Sequence, residues 1–90
     1  QSRAGVLPPR NVSKMRAWGL PVPVQSVRSG DLVLFAMNDE VTHAGIYVGK
    51  GRFVHAPSAG GTVRLDRIDA PYWASRYTEA RRVASATTGN

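Results

Sequence analysis

Two short runs of β-forming residues meet at Gly49-Lys50-Gly51, and this hairpin constrains the fold more than any other stretch of the chain. Residues 41–48 and 52–56 are rich in Val, Ile, Phe and Tyr, which pack well on a pleated surface. Both histidines, His43 and His55, lie within it. Side chains alternate along a strand, so the turn decides whether the two rings share a face. A two-residue loop at Lys50-Gly51 pairs Val48 with Phe53 and sets His55 opposite Ile46, away from His43. A three-residue loop pairs Val48 with Arg52 instead. His55 then lies opposite Gly45, with His43 as its diagonal neighbour.

Three-residue loops commonly end in a left-handed residue, which suits Gly51. The second register also gathers Ala44, Ile46, Val48, Val54 and Ala56 on one side, and a one-residue slip would scatter that set. We therefore expect the three-residue loop, with the aliphatic set as the core face. His43, Tyr47, Phe53 and His55 take the other. Diagonal neighbours sit roughly 7–8 Å apart between Cα atoms, within reach of an imidazole–imidazole hydrogen bond. Gly45 leaves space between the rings.

The rest of the chain reads as small elements. Pro8-Pro9 makes residues 1–10 irregular. Asn11 is an N-cap candidate for one helix over 12–18, with Gly19 past its end and Pro21 blocking continuation. Pro21 and Pro23 allow at most an edge strand. Residues 32–36, Leu-Val-Leu-Phe-Ala, form a run short enough for a strand buried on both faces. Residues 57–61 have loop composition, 62–65 read as a short strand, and 66–73 hold a helical turn or tight loop. Residues 77–83 alternate as a strand near a sheet edge, and 84–90 are a frayed tail. One helix and about five strands with hairpin-length links describe a small antiparallel barrel or open sheet.

Ninety residues make one small domain or part of one. No run approaches the length of a membrane-spanning helix. With no cysteine, disulfides, thiolate metal sites and a thiol nucleophile are absent from the chain. Two imidazoles near Asp39 and Glu40 fall short of a three-ligand metal site, so neither metal nor cofactor is expected. Twelve basic residues, ten of them arginine, stand against six acidic ones. Arginine favours planar anions, so an anionic partner, cell-wall polymer or nucleic acid, competes with a plain basic surface. The charges are scattered and lack a stacking-aromatic companion, which counts against nucleic acid. Asp31 reads as a turn cap before a site residue, and Trp18, Trp73 and Tyr77 as core before substrate-stacking groups. Ser58, Gly60 and Gly61 are candidates to line a groove beside His55, or a plain loop. Ser58 as a nucleophile lacks an oxyanion signature.

Several segments, taken in order, resemble the NlpC/P60 family of bacterial cell-wall cysteine peptidases. They are Leu7-Pro8-Pro9-Arg10, Ser29-Gly30-Asp31-Leu32-Val33-Leu34-Phe35, Thr42-His43-Ala44-Gly45-Ile46-Tyr47-Val48-Gly49, Phe53-Val54-His55-Ala56-Pro57-Ser58, Tyr72-Trp73 and residues 77–83. The resemblance implies an α+β, papain-like fold, with residues 1–83 as the C-terminal portion of one domain. It implies a Cys-His-His triad in which His43 is the general base and His55 its orienter. It also implies a peptidoglycan peptide-stem substrate, whose carboxylates suit Arg64 and Arg10, and a secreted or cell-envelope location. The family's nucleophile-bearing helix has no counterpart here. The expectation is therefore a base-bearing part of a hydrolase, inactive by itself, completed by a missing N-terminal segment or a Cys-bearing partner chain. Alone, it should be poorly soluble, dimeric or partner-bound. The alternative is a non-catalytic peptidoglycan-binding module of the same fold.

Overall fold

A computed structural model describes residues 11–56 and 62–83. Asn11 caps helix α1 (Val12–Met15), its side chain accepting from the Ser13 N–H at 2.8 Å. The helix is shorter than the 12–18 read from sequence. Its continuation tightens into turns in which Ala17 and Trp18 bond the carbonyls of Lys14 and Met15, three residues back. Strand β1 (Leu20–Val22) follows, then a 3₁₀ turn at Val24–Ser26. The sheet continues with β2 (Leu32–Met37), β3 (Glu40–Gly49), β4 (Arg52–His55) and β5 (Arg64–Arg67). Helix α2 (Pro71–Ala74), opened by Pro71 in the first turn, leads into β6 (Tyr77–Arg82).

The six strands form one antiparallel sheet in the order β1-β6-β2-β3-β4-β5. The proline-bearing β1 is an edge strand, as its missing donors require. Central β2 is flanked by β6 and β3, and Leu32 through Phe35 are each at most 3% exposed. That matches a strand buried on both faces. The Met37–Glu40 connection is a two-residue turn, with Asn38 and Asp39 both at positive φ. β5 starts two residues later than expected, so Asp66 and Arg67 belong to a strand rather than a loop.

The hairpin corrects two expectations. Gly49, not Val48, pairs with Arg52, and the chain reverses through Lys50-Gly51 with φ of 56° and 78°. Val48 is the extra residue of a bulge, and beyond it Ile46 faces Val54. A tight two-residue turn plus a bulge thus yields the register expected from a three-residue loop. The Tyr47 hydroxyl pins the turn by accepting from the Gly51 N–H at 2.7 Å.

The second correction concerns the core face. The aliphatic set is not the main core: Ile46 is 36% exposed, and Ala44, Val48 and Val54 are only partly buried, while Ala56 is exposed. The core cluster is Val22, Val33, Phe35, Phe53, Trp73 and Ala80, on the histidine-bearing side, with Tyr47, Ile68 and Tyr77 packed against it. Aromatic rings bury more area than the small aliphatics opposite, and α2 folds Trp73 over them. At the other end of the sheet, Asp31 accepts from the Arg28 N–H, the expected turn cap, and also binds the Arg82 guanidinium through both oxygens.

Candidate active site

His43 and His55 come from adjacent strands, and continuing the Ile46–Val54 register sets His55 opposite Gly45. His43 follows a second bulge: Phe35 pairs with His43 but Ala36 with Val41, leaving Thr42 as the extra residue. Gly45 is required by close approach. A Cβ there would lie 2.7 Å from Phe53 Cδ2, 2.9 Å from the Val54 carbonyl oxygen and 3.2 Å from His55 Cβ.

His43 Nε2 lies 2.7 Å from His55 Nδ1, and the two ring planes stand at 88°. His55 Nε2 lies in turn 2.7 Å from Asp66 Oδ2. The chain His43–His55–Asp66 therefore crosses three neighbouring strands. Trp73 stacks on His43 at 5.4 Å between centroids and meets His55 edge-on at 4.8 Å. Phe53 lies 4.6 Å from the His55 ring. This aromatic box fixes both imidazoles, so Trp73 is core, as expected, and also a wall of the site.

His55 has a fully buried side chain, whereas His43 is half-buried and reaches a cavity of about 440 Å³. Met37, Arg64, Asp66, Tyr72 and Trp73 are among the other residues lining it. Burial, reinforced by the neighbouring His55 ring, holds the His43 pKa below its ordinary 6.5. The ring is thus neutral, and competent to accept a proton, at pH 7. Arg64 is the cavity's cation, 61% exposed, with Nη2 3.6 Å from Asp66 Oδ1. The two histidines and Asp66 are engaged with one another. Among the described residues, no group of three or more potential ligands is arranged for a metal ion.

Of the residues singled out in the sequence, His43, His55 and Arg64 converge on this region. Ser58, Gly60, Gly61 and Arg10 lie outside the described residues. Asp66 was missed. Its signal was the alternation Val63-Arg64-Leu65-Asp66, which continues one residue past the strand end assigned from sequence and places Arg64 opposite His55 and Asp66 opposite Phe53.

Comparison with known proteins bears on the family and the fold. A family model described as the NlpC/P60 family matches residues 1–82. Murein DD-endopeptidase MepS/Murein LD-carboxypeptidase of Escherichia coli (strain K12) is 42% identical over 77 residues, covering 86% of this chain and 40% of that protein. A probable endopeptidase NlpC homolog of Haemophilus influenzae is 37% identical over 79 residues, covering 88% of this chain and 41% of that protein. The chain thus spans about two-fifths of the length of these relatives. Among solved structures, an NlpC/P60 family protein from Bacillus cereus ATCC 10987 superposes with a TM-score of 0.75 at 29% identity, covering 83% of this chain and 26% of that one. By sequence and by fold, the chain belongs to the NlpC/P60 family.

Proposed function

We propose that this chain is the base-bearing part of a thiol-dependent peptidoglycan hydrolase that cuts peptide stems in the cell envelope. The observation that carries the reading is the 2.7 Å contact between His43 Nε2 and His55 Nδ1 at the edge of a cavity. A half-buried imidazole, neutral at pH 7 and held by a second buried imidazole, is what a general base and its orienter require. In the proposed reaction a thiol gives its proton to His43, and the thiolate attacks the amide carbonyl. The imidazolium then protonates the leaving amine, and a water, giving its proton to the same ring, hydrolyses the thioester to release the acid and restore the thiol. His55 holds the His43 ring throughout. Arg64, which lines the cavity, binds a substrate carboxylate.

Relatives named as murein endopeptidases support the substrate class. The thiol must come from outside these ninety residues, which contain no cysteine. That same fact favours a second reading, a peptidoglycan-binding module without turnover. Incubating the full-length protein with purified peptidoglycan separates the two. The hydrolase reading expects release of soluble stem peptides, abolished by thiol alkylation. Retention on peptidoglycan with no peptide release would support the binding module instead.

A further inference from the structure

The hydrogen-bond chain does not stop at the two imidazoles. Asp66 Oδ2 sits 2.7 Å from His55 Nε2, and the His55 side chain is fully buried, so this carboxylate is the partner of that ring nitrogen. An ionised carboxylate only accepts hydrogen bonds, so the proton in that contact belongs to His55 Nε2. A neutral imidazole carries one N–H. His55 Nδ1 then presents a lone pair, and His43 Nε2 must donate to it. One nitrogen of His43 is left unprotonated, its Nδ1.

We infer that Asp66 is a positioning residue: acting through His55, it fixes the His43 tautomer so that Nδ1 is the nitrogen that accepts the nucleophile's proton. The inference rests on the reading of His43 as general base. Without Asp66, the proton between the imidazoles could point either way. In the reversed arrangement His55 Nδ1–H donates, and His43 carries its own proton on Nδ1, where the nucleophile's proton should go. The strand register supports the assignment. Asp66 pairs with Phe53 and Arg64 with His55, so the carboxylate reaches the far side of the His55 ring while Arg64 lies nearer its other oxygen, Oδ1. When His43 takes up the thiol proton it becomes the imidazolium and keeps its Nε2–H bond to His55. The thiol becomes a thiolate, and no proton passes to Asp66.

The test uses the full-length protein labelled with ¹⁵N-histidine, its ring signals assigned with His→Gln variants, alongside steady-state peptidoglycan cleavage. The wild type should show the Nε2–H tautomer at both His43 and His55. Asp66→Asn, close to isosteric, and Asp66→Ala should populate Nδ1–H on His43. They should also lower kcat roughly 10- to 100-fold with KM within about twofold, and Asp66→Glu should recover part of the loss. Unchanged tautomers in both variants, whatever the rate, would overturn the inference, as would shifted tautomers with an unchanged kcat. Its failure is distinct from failure of the functional reading. If His43→Ala abolishes cleavage while Asp66→Ala is fully active, only the role of Asp66 falls. If His43→Ala cleaves normally, the base assignment itself falls.

Discussion

His43 Nε2 and His55 Nδ1 approach to 2.7 Å with their ring planes nearly perpendicular, so one ring's in-plane nitrogen addresses the other's without stacking. Such a contact fixes orientation as well as charge. In the full-length protein, His55→Ala should lower kcat for peptidoglycan cleavage roughly 10²–10³-fold with little change in KM. His55→Asn, whose amide oxygen can still accept from His43, should recover part of that loss. Equal losses in both variants would show that the second ring does more than accept one hydrogen bond.

The titration of His43 gives a second expectation. Burial and the neighbouring imidazole lower its folded pKa below 6.5. Between the folded value and 6.5 the unfolded chain binds more protons, so stability rises with pH across that window. The contribution is present above pH 6.5 and is lost as pH falls through the folded value. An NMR titration should place the His43 midpoint below 6.5, and His43→Gln should flatten this part of the stability profile. A midpoint at or above 6.5 would contradict the described environment.

Gly45→Ala tests the close approach of β3 and β4. The added methyl meets the Val54 carbonyl and His55 Cβ as well as the Phe53 ring, and backbone cannot yield as a side-chain tip can. Urea denaturation should show a loss of about 1–3 kcal/mol, with the His55 ring signals displaced. An alanine variant of wild-type stability would mean the strands are not this close.

Asp31 and Arg82 tie the turn before β2 to β6, well away from the histidines. Burial pushes the Asp31 carboxyl up. The Arg82 guanidinium and the Arg28 N–H outweigh it, and the pKa falls below 3.8. The sign is that of a depressed acid: its stabilisation is present above pH 3.8 and lost as pH falls through the folded value. Asp31→Ala should cost about 1–3 kcal/mol at pH 7 by leaving these donors unmet. The difference from wild type should shrink in acid, as followed by denaturation at graded pH.

Much of the fold was legible because short-range chemistry decided it. Asn11 before a helix, Pro21 and Pro23 confining their segment to an edge, and the apolar run at 32–36 each act through their own backbone. The histidine register was legible too, because Gly45 and the alternation on either side admit few pairings. What was not legible depended on partners distant in sequence. The core face was misassigned because aliphatic Ala44, Ile46 and Val48 look like a core until Trp73, about thirty residues later, is seen covering the aromatic side. Asp66 was missed because its role exists only across the β4–β5 pairing, whose register no local motif announces. The Val48 bulge was hidden for the opposite reason: a tight turn plus one extra residue produces the same outer register as a longer loop.

The general-base role of His43 is tested by the rate at which full-length His43→Ala protein releases stem peptides from purified peptidoglycan, measured beside the wild type and with peptidoglycan binding checked in parallel. With His43 as the general base, binding is retained and cleavage falls at least about 10²–10⁴-fold, the range such a base contributes. Cleavage by the variant at the wild-type rate would contradict that role.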